Sequence, residues 1–162
     1  MLQLTNINLA VTIVLTGLTA GLCFTWGNAV TPGIGQLSDK GFLEAFQQMN
    51  RSIINPSFAG VFFGPLFGHL LNVYLQRSTL DLSFWLFTLA ALLYLGGLVG
   101  ITIFKNIPLN EILDAADLTT ATVAELQDLR KTFEKPWNMW HNLRTLSSTA
   151  AFLLTVLGAL IK

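Results

Sequence analysis

The chain has 162 residues, 52% of them apolar and 11% charged, with a formal net charge of zero. Soluble domains carry roughly 25% charged residues, so the composition is that of a membrane protein. A neutral chain has no general attraction for nucleic acid, and its one cysteine, Cys23, excludes an internal disulfide and a thiolate metal cluster.

Charged residues are absent before Asp39, between Arg51 and Arg77, between Asp81 and Lys105, and between Arg144 and Lys162. About 20 apolar residues span the hydrocarbon core of a bilayer. The sequence therefore predicts a single all-α domain, a four-helix transmembrane bundle of up-down-up-down topology. The predicted spans are about 7–30, 55–76, 82–105 and 136–161, with short amphipathic interfacial helices in the connections between spans one and two and between spans three and four.

The N-terminal apolar run lacks a basic leader and is too long for a signal peptide, so it reads as a retained first span. Cys23 within it reads as a small buried hydrophobe. The span is expected to end before Thr31-Pro32-Gly33, because proline and glycine break helices and the residue before proline avoids helical geometry. In the connection that follows, Ser38 can cap a helix. Phe42, Phe46, Met49 and Ile53 then share one face, with Gln47 and Asn50 flanking it and able to face inward.

Span two starts near Pro56, a position that tolerates proline. Pro65 inside it cannot bond the Val61 carbonyl, which predicts a kink. Gly60, Gly64 and Gly68, Gly17 and Gly21, and Gly96 and Gly100 recur at fourfold spacing, a pattern that lets helices pack closely within one chain or between copies in a homo-oligomer. His69 lies deep in this span. Intramembrane ionisable groups are functional candidates by default, although a neutral histidine hydrogen-bonded to a neighbour satisfies the same position. The short connection 77–81 carries no candidate chemistry.

Span three is expected to stop by Asn106, ahead of Ile107-Pro108. The acidic connection after it contains Thr122 and Glu125 at capping-box spacing, which predicts a short helix through about Lys131. Its carboxylates alternate with basic residues and read as a solvated face. Span four should begin at Pro136. Only 17 uncharged residues separate Arg144 from Lys162, about 25 Å of helix, so Arg144 sits at the membrane boundary and either snorkels outward or points into a polar interior. Seven of the nine Lys and Arg fall on the side of the long connections, which places that side in the cytoplasm by the positive-inside rule. The expected location is the bacterial inner membrane.

The polar residues gather at one end of the expected bundle. Trp137, Trp140, His141 and Arg144 stand at i, i+3, i+4 and i+7, one stripe on span four. Asn28, Asn50, Asn55, Asn106 and Asn110 fall at the helix ends expected to face them. Each feature has a plainer reading: tryptophan and arginine form interfacial belts, and asparagines cap helices and turn loops. His69 is about 20 Å from His141 by helix rise, so the two cannot share a metal, and no metal site is expected.

The segments Phe46-Gln47 through Asn50, Asn55-Pro56-Ser57-Phe58, Asn106-Ile107-Pro108-Leu109-Asn110 and Trp137 to Trp140-His141-Asn142-Leu143-Arg144-Thr145 resemble the anthrone oxygenase-like membrane family over nearly the whole chain. The resemblance implies four spans and, as in some fungal members, oxidation of a polyketide anthrone by dioxygen without a cofactor. Fold alone does not fix function. On that reading Trp137 and Trp140 form a slot for flat rings, His141 is the base, and Arg144 with Asn110 or Asn50 holds the oxyanion, while Asn28, Gln47, Asn55 and Asn106 line the site. The implied partners are membrane lipid and a lipophilic small molecule. Two other functions use the same residues: a non-enzymatic carrier for a quinone-like or lipid ligand, and a structural membrane subunit that docks a partner.

Overall fold

The computed structural model describes residues 2–162, with side chains from residue 3. Among the described residues there is no strand. Four helices are long and apolar enough to cross a membrane, α1 (Gln3–Ile34), α3 (Pro56–Gln76), α4 (Leu82–Asp114) and α5 (Val123–Ile161). They are consistent with an integral membrane protein. A fifth helix, α2 (Asp39–Ile53), joins α1 to α3.

Three expected helix stops do not stop the helix. α1 passes through Pro32, α4 through Pro108, and α5 is one 39-residue helix through Pro136 rather than a short helix followed by a span. In α1 and α4 the same device precedes the proline. A π-helical stretch, Trp26–Val30 or Thr102–Asn106, ends one residue before an X-Pro pair. The next residue donates five positions back, Thr31 to the Trp26 carbonyl and Ile107 to that of Thr102. The wider turn leaves room for the proline ring, which then sits in the tolerated first turn of the following α segment. In α5 the capping box at Thr122 and Glu125 forms as expected. Leu126, Phe133 and Trp137 are then buried in one cluster, and a break at Pro136 would separate them.

Contacts rise along α1 as they fall along α3. Asn8 donates to the Gly68 carbonyl (3.0 Å) and Asn72 Oδ1 (2.8 Å), Thr16 Oγ1 lies 3.1 Å from His69 Nε2, and Thr19 donates to the Val61 carbonyl at 2.9 Å. That last bond satisfies the acceptor that Pro65 leaves without its helical donor, and Tyr94 donates to the neighbouring Phe62 carbonyl at 2.7 Å. Gly68 packs directly on the Thr12 hydroxyl, with no space for a Cβ. α5 packs against α1 and α4, and α3 against α1 and the first part of α4.

Two hydrophobic clusters organise the interior. One, built on Cys23, Phe62, Tyr94, Leu98 and Ala151, holds the long helices together. The other joins α2 to the ends of α4 and α5 through Phe42, Phe46, Leu113, Phe133 and Trp137. The outward faces of the long helices carry exposed large apolar residues such as Val14, Phe67, Leu92 and Leu157. In water these would be a liability; against acyl chains they are matched to their surroundings.

Candidate functional site

Between the two clusters lies a cavity of about 610 Å³, within the size range of small-molecule sites. Its walls are mainly apolar: Phe58, Phe62 and Phe63 from α3, Ile103 and Ile107 from α4, and Leu22 from α1. Against this background stand Trp137, His141, Arg144, Thr102 and Asn110. Both π-helical stretches flanking it contribute, through Trp26 and Thr102.

α5 sets the chemistry. Trp137 and His141, one turn apart, stack with ring centroids at 4.8 Å and an interplanar angle of 11°. The Trp137 indole N–H donates to Asn110 Oδ1 at 2.7 Å, and its backbone carbonyl accepts from Asn106 Nδ2 at 3.2 Å. α4 therefore fixes this ring from both ends. His141 Nε2 lies 3.0 Å from the Cys23 carbonyl. A carbonyl only accepts, so Nε2 carries the proton and Nδ1 presents a lone pair. That lone pair faces Arg144, whose Nε and Nη2 approach it at 3.1 and 3.0 Å. Gly27 makes the arrangement possible, since a Cβ there would lie 3.2 Å from His141 Nε2.

Arg144 completes its bonding by donating from Nη1 to Thr102 Oγ1 at 3.2 Å, and its guanidinium carbon stands 5.2 Å from the Trp137 ring centroid. The ion pairs of the structure are Lys40–Glu44, Arg51–Asp114, Arg130–Asp39 and Arg130–Glu134. Among the described residues, then, no carboxylate pairs with Arg144. A cation held by neutral groups in an apolar cavity retains donors able to take an anionic or acceptor oxygen.

The expected site residues separate into three groups. Trp137, His141, Arg144, Asn50, Asn55 and Asn110 line the cavity. Asn55 also performs its plainer role, its Oδ1 accepting from the Phe58 N–H at 2.9 Å as the cap of α3. Gln47 and Asn106 are buried braces: Gln47 donates to the Leu113 and Ala116 carbonyls at 2.7 and 3.0 Å, fastening α2 to the end of α4. Two residues lie elsewhere. Asn28 is exposed, because α1 runs on to Ile34 and position 28 is not a helix end. Trp140 turns away from the cavity to face Lys105, whose Nζ is 5.0 Å from its ring.

The sequence reading passed over Trp26, Thr102, the Phe58–Phe62–Phe63 wall and the backbone carbonyl of Cys23. Thr102 sits four residues before Asn106 on the same helix face, a signal that was available. Among the described residues no group of three or more His, Cys, Asp or Glu side chains is placed to hold a metal.

Comparison with known proteins gave no match among curated proteins or solved structures. A family model described as Anthrone oxygenase does match, over residues 52–154. That stretch is well over half of the 162 residues and contains Asn55, Thr102, Asn106, Asn110, Trp137, His141 and Arg144. The chain belongs to the anthrone oxygenase family.

Proposed function

We propose that the chain crosses the bacterial inner membrane as an up-down-up-down bundle, with its long connections cytoplasmic and α2 and the start of α5 at the interface. There it oxidises a lipophilic anthrone- or quinol-type compound with dioxygen and without a cofactor. The observation that carries this reading is the unpaired Arg144 guanidinium beside the His141 lone pair, in an apolar cavity large enough for fused rings.

An anthrone is acidic at its methylene because loss of that proton gives an aromatic enolate. In the cavity the keto oxygen takes the Arg144 donors. Arg144 then leaves His141 Nδ1 for the developing oxyanion, which it prefers on charge grounds. Nδ1 is thereby free to accept the methylene proton. The enolate passes one electron to dioxygen, and the resulting radical and superoxide combine to form a carbon–oxygen bond. The hydroperoxide anion so formed takes the proton back from the imidazolium. Loss of the remaining hydrogen from that carbon, with cleavage of the O–O bond, gives the second ketone and water. One dioxygen is consumed per substrate, one of its atoms ending in the quinone and one in water, and His141 returns neutral.

The same cavity supports a second reading, a carrier of quinone-like or lipid ligands. It is favoured by the fact that both ring nitrogens of His141 are occupied in the ligand-free protein. Oxygen uptake separates the two. Protein in lipid nanodiscs with added anthrone is expected to consume one dioxygen per quinone formed, and this is expected to persist after chelator treatment. Full turnover in both His141→Ala and Arg144→Ala would overturn the assignment, and saturable binding without oxygen uptake would leave the carrier.

A further inference from the structure

The cavity is bordered at one end by α2 with the charged residues Arg51, Glu111 and Asp114, and on its flank by apolar side chains alone. Over the end, α2 is tied down by Arg51 Nε to Asp114 Oδ1 at 2.6 Å and by Gln47 to two carbonyls at the end of α4. Beneath it the Phe46 ring packs against Phe133 (4.7 Å) and Trp137 (4.8 Å). On the flank, the close backbone approach of α3 to α4 is concentrated in the Leu82–Leu92 stretch. Further along, the long Tyr94 side chain reaches across to the Phe62 carbonyl, and beyond that level the cavity separates Phe58 and Phe63 of α3 from Thr102, Ile103 and Ile107 of α4. Phe63, Ile103 and Ile107 border the resulting gap, and all three are exposed although they belong to helices apolar enough to cross a membrane.

We infer that the cavity is loaded sideways from the hydrocarbon layer, through the gap between α3 and α4, with Phe63, Ile103 and Ile107 as its gate. What passes is an apolar ring compound carrying an acceptor oxygen for Arg144. Such a compound concentrates among acyl chains, and the apolar border offers it a path with no charge to desolvate. The charged end offers the opposite. The inference deepens the proposed function by giving the route of its ligand class, and it is tested without reference to turnover.

Cys23, the single cysteine, lines the cavity and reports on access to it. In nanodiscs, neutral N-phenylmaleimide is expected to alkylate Cys23, while the membrane-impermeant sulfonatoethyl methanethiosulfonate leaves it untouched. Ile103→Trp and Phe63→Trp should each slow alkylation by about tenfold or more, because the added ring fills the gap. Ile107→Ala should speed it. Arg51→Ala, which frees the α2 end from Asp114, should leave the rate within about twofold, a change too small to mark a new barrier. The route is overturned if the charged reagent labels the native protein, if Arg51→Ala accelerates labelling while the gap variants do nothing, or if native Cys23 resists N-phenylmaleimide yet reacts after unfolding in dodecyl sulfate. Gated labelling without oxygen uptake would keep the route and remove the chemistry; oxygen uptake without gated labelling would do the reverse.

Discussion

His69 and His141 are both wholly buried on apolar helices, and each lies beside an aromatic ring, Tyr94 at 5.0 Å and Trp137 at 4.8 Å. Their surroundings differ in two respects. His141 borders a cavity and holds an arginine that no carboxylate neutralises. His69 Nε2 is hydrogen-bonded to its neighbour Thr16 in a region where α1 and α3 lie so close that Gly68 touches the Thr12 hydroxyl. Burial of an ionisable group inside a membrane protein is therefore a weak guide by itself. Adjacent free volume and an unpaired charge are what mark a site, because they leave something for a ligand to fill and to satisfy.

The largest test of this contrast is Arg144→Met. Loss of the oxyanion donor is expected to lower kcat/KM for anthrone by roughly 10³-fold. Thermal stability should hold or rise, since an unpaired cation leaves an apolar site. Oxygen uptake and thermal unfolding of the same nanodisc sample check both halves. His141→Gln comes next. The amide keeps an acceptor for Arg144 but is not a base, so kcat should fall by roughly 10²-fold with KM little changed. An intact kcat would make His141 a positioning residue that holds Arg144 for the ligand.

His69→Leu should invert the pattern. It leaves the Thr16 hydroxyl without its hydrogen-bond partner in a packed interior, for a stability loss of about 1–3 kcal/mol. Turnover should stay within about twofold, because the residue is far from the cavity. A folded His69→Leu protein without activity would break the comparison. Thr19→Val is smaller again. It strips the Val61 carbonyl of the donor that replaces the one missing at Pro65, for about 1 kcal/mol. In Thr19→Val/Pro65→Ala the backbone N–H of residue 65 returns to that carbonyl, so the double variant should be more stable than the sum of the single changes.

The uncharged stretches placed the four long helices in the sequence, because charge is expensive in hydrocarbon and its absence is visible residue by residue. The Trp137–His141–Arg144 stripe was legible for a similar reason, since one helix carries it at regular spacing. Helix ends were less legible. Pro32 and Pro108 looked like stops and Pro136 like the start of a new helix, but a π-helical turn or the pull of a shared cluster carries the chain past them, and neither depends on local composition. Asn28 was misplaced by that same error, being chosen as a helix end that does not exist. Trp26 and the Phe58–Phe63 wall were invisible because they become a site only where α3 diverges from α4, a tertiary fact with no periodic signature.

Arg144 is half-buried in an apolar cavity, whereas in the exposed connection 115–122 electrostatics act through hydrogen bonds at the surface. Asp117 accepts from the Thr119 hydroxyl (2.6 Å), the Thr119 N–H (2.9 Å) and the Thr120 hydroxyl (3.0 Å), and these bonds hold its pKa down at about 2. An unfolded aspartate titrates near 3.9. Between these values the unfolded chain binds the extra proton, so the loop's contribution to stability is fully present above about pH 4 and is lost as the pH falls toward 2. The loop also delivers Leu118 to the cluster beneath α2. Thermal unfolding from pH 5 to pH 2 should therefore fall more steeply in the native protein than in Asp117→Asn. Asp81, whose pKa is lowered chiefly by the Ser83 hydroxyl, is common to both proteins and cancels in the difference. Equal slopes would mean that the connection is held by Leu118 packing rather than by the Asp117 hydrogen bonds.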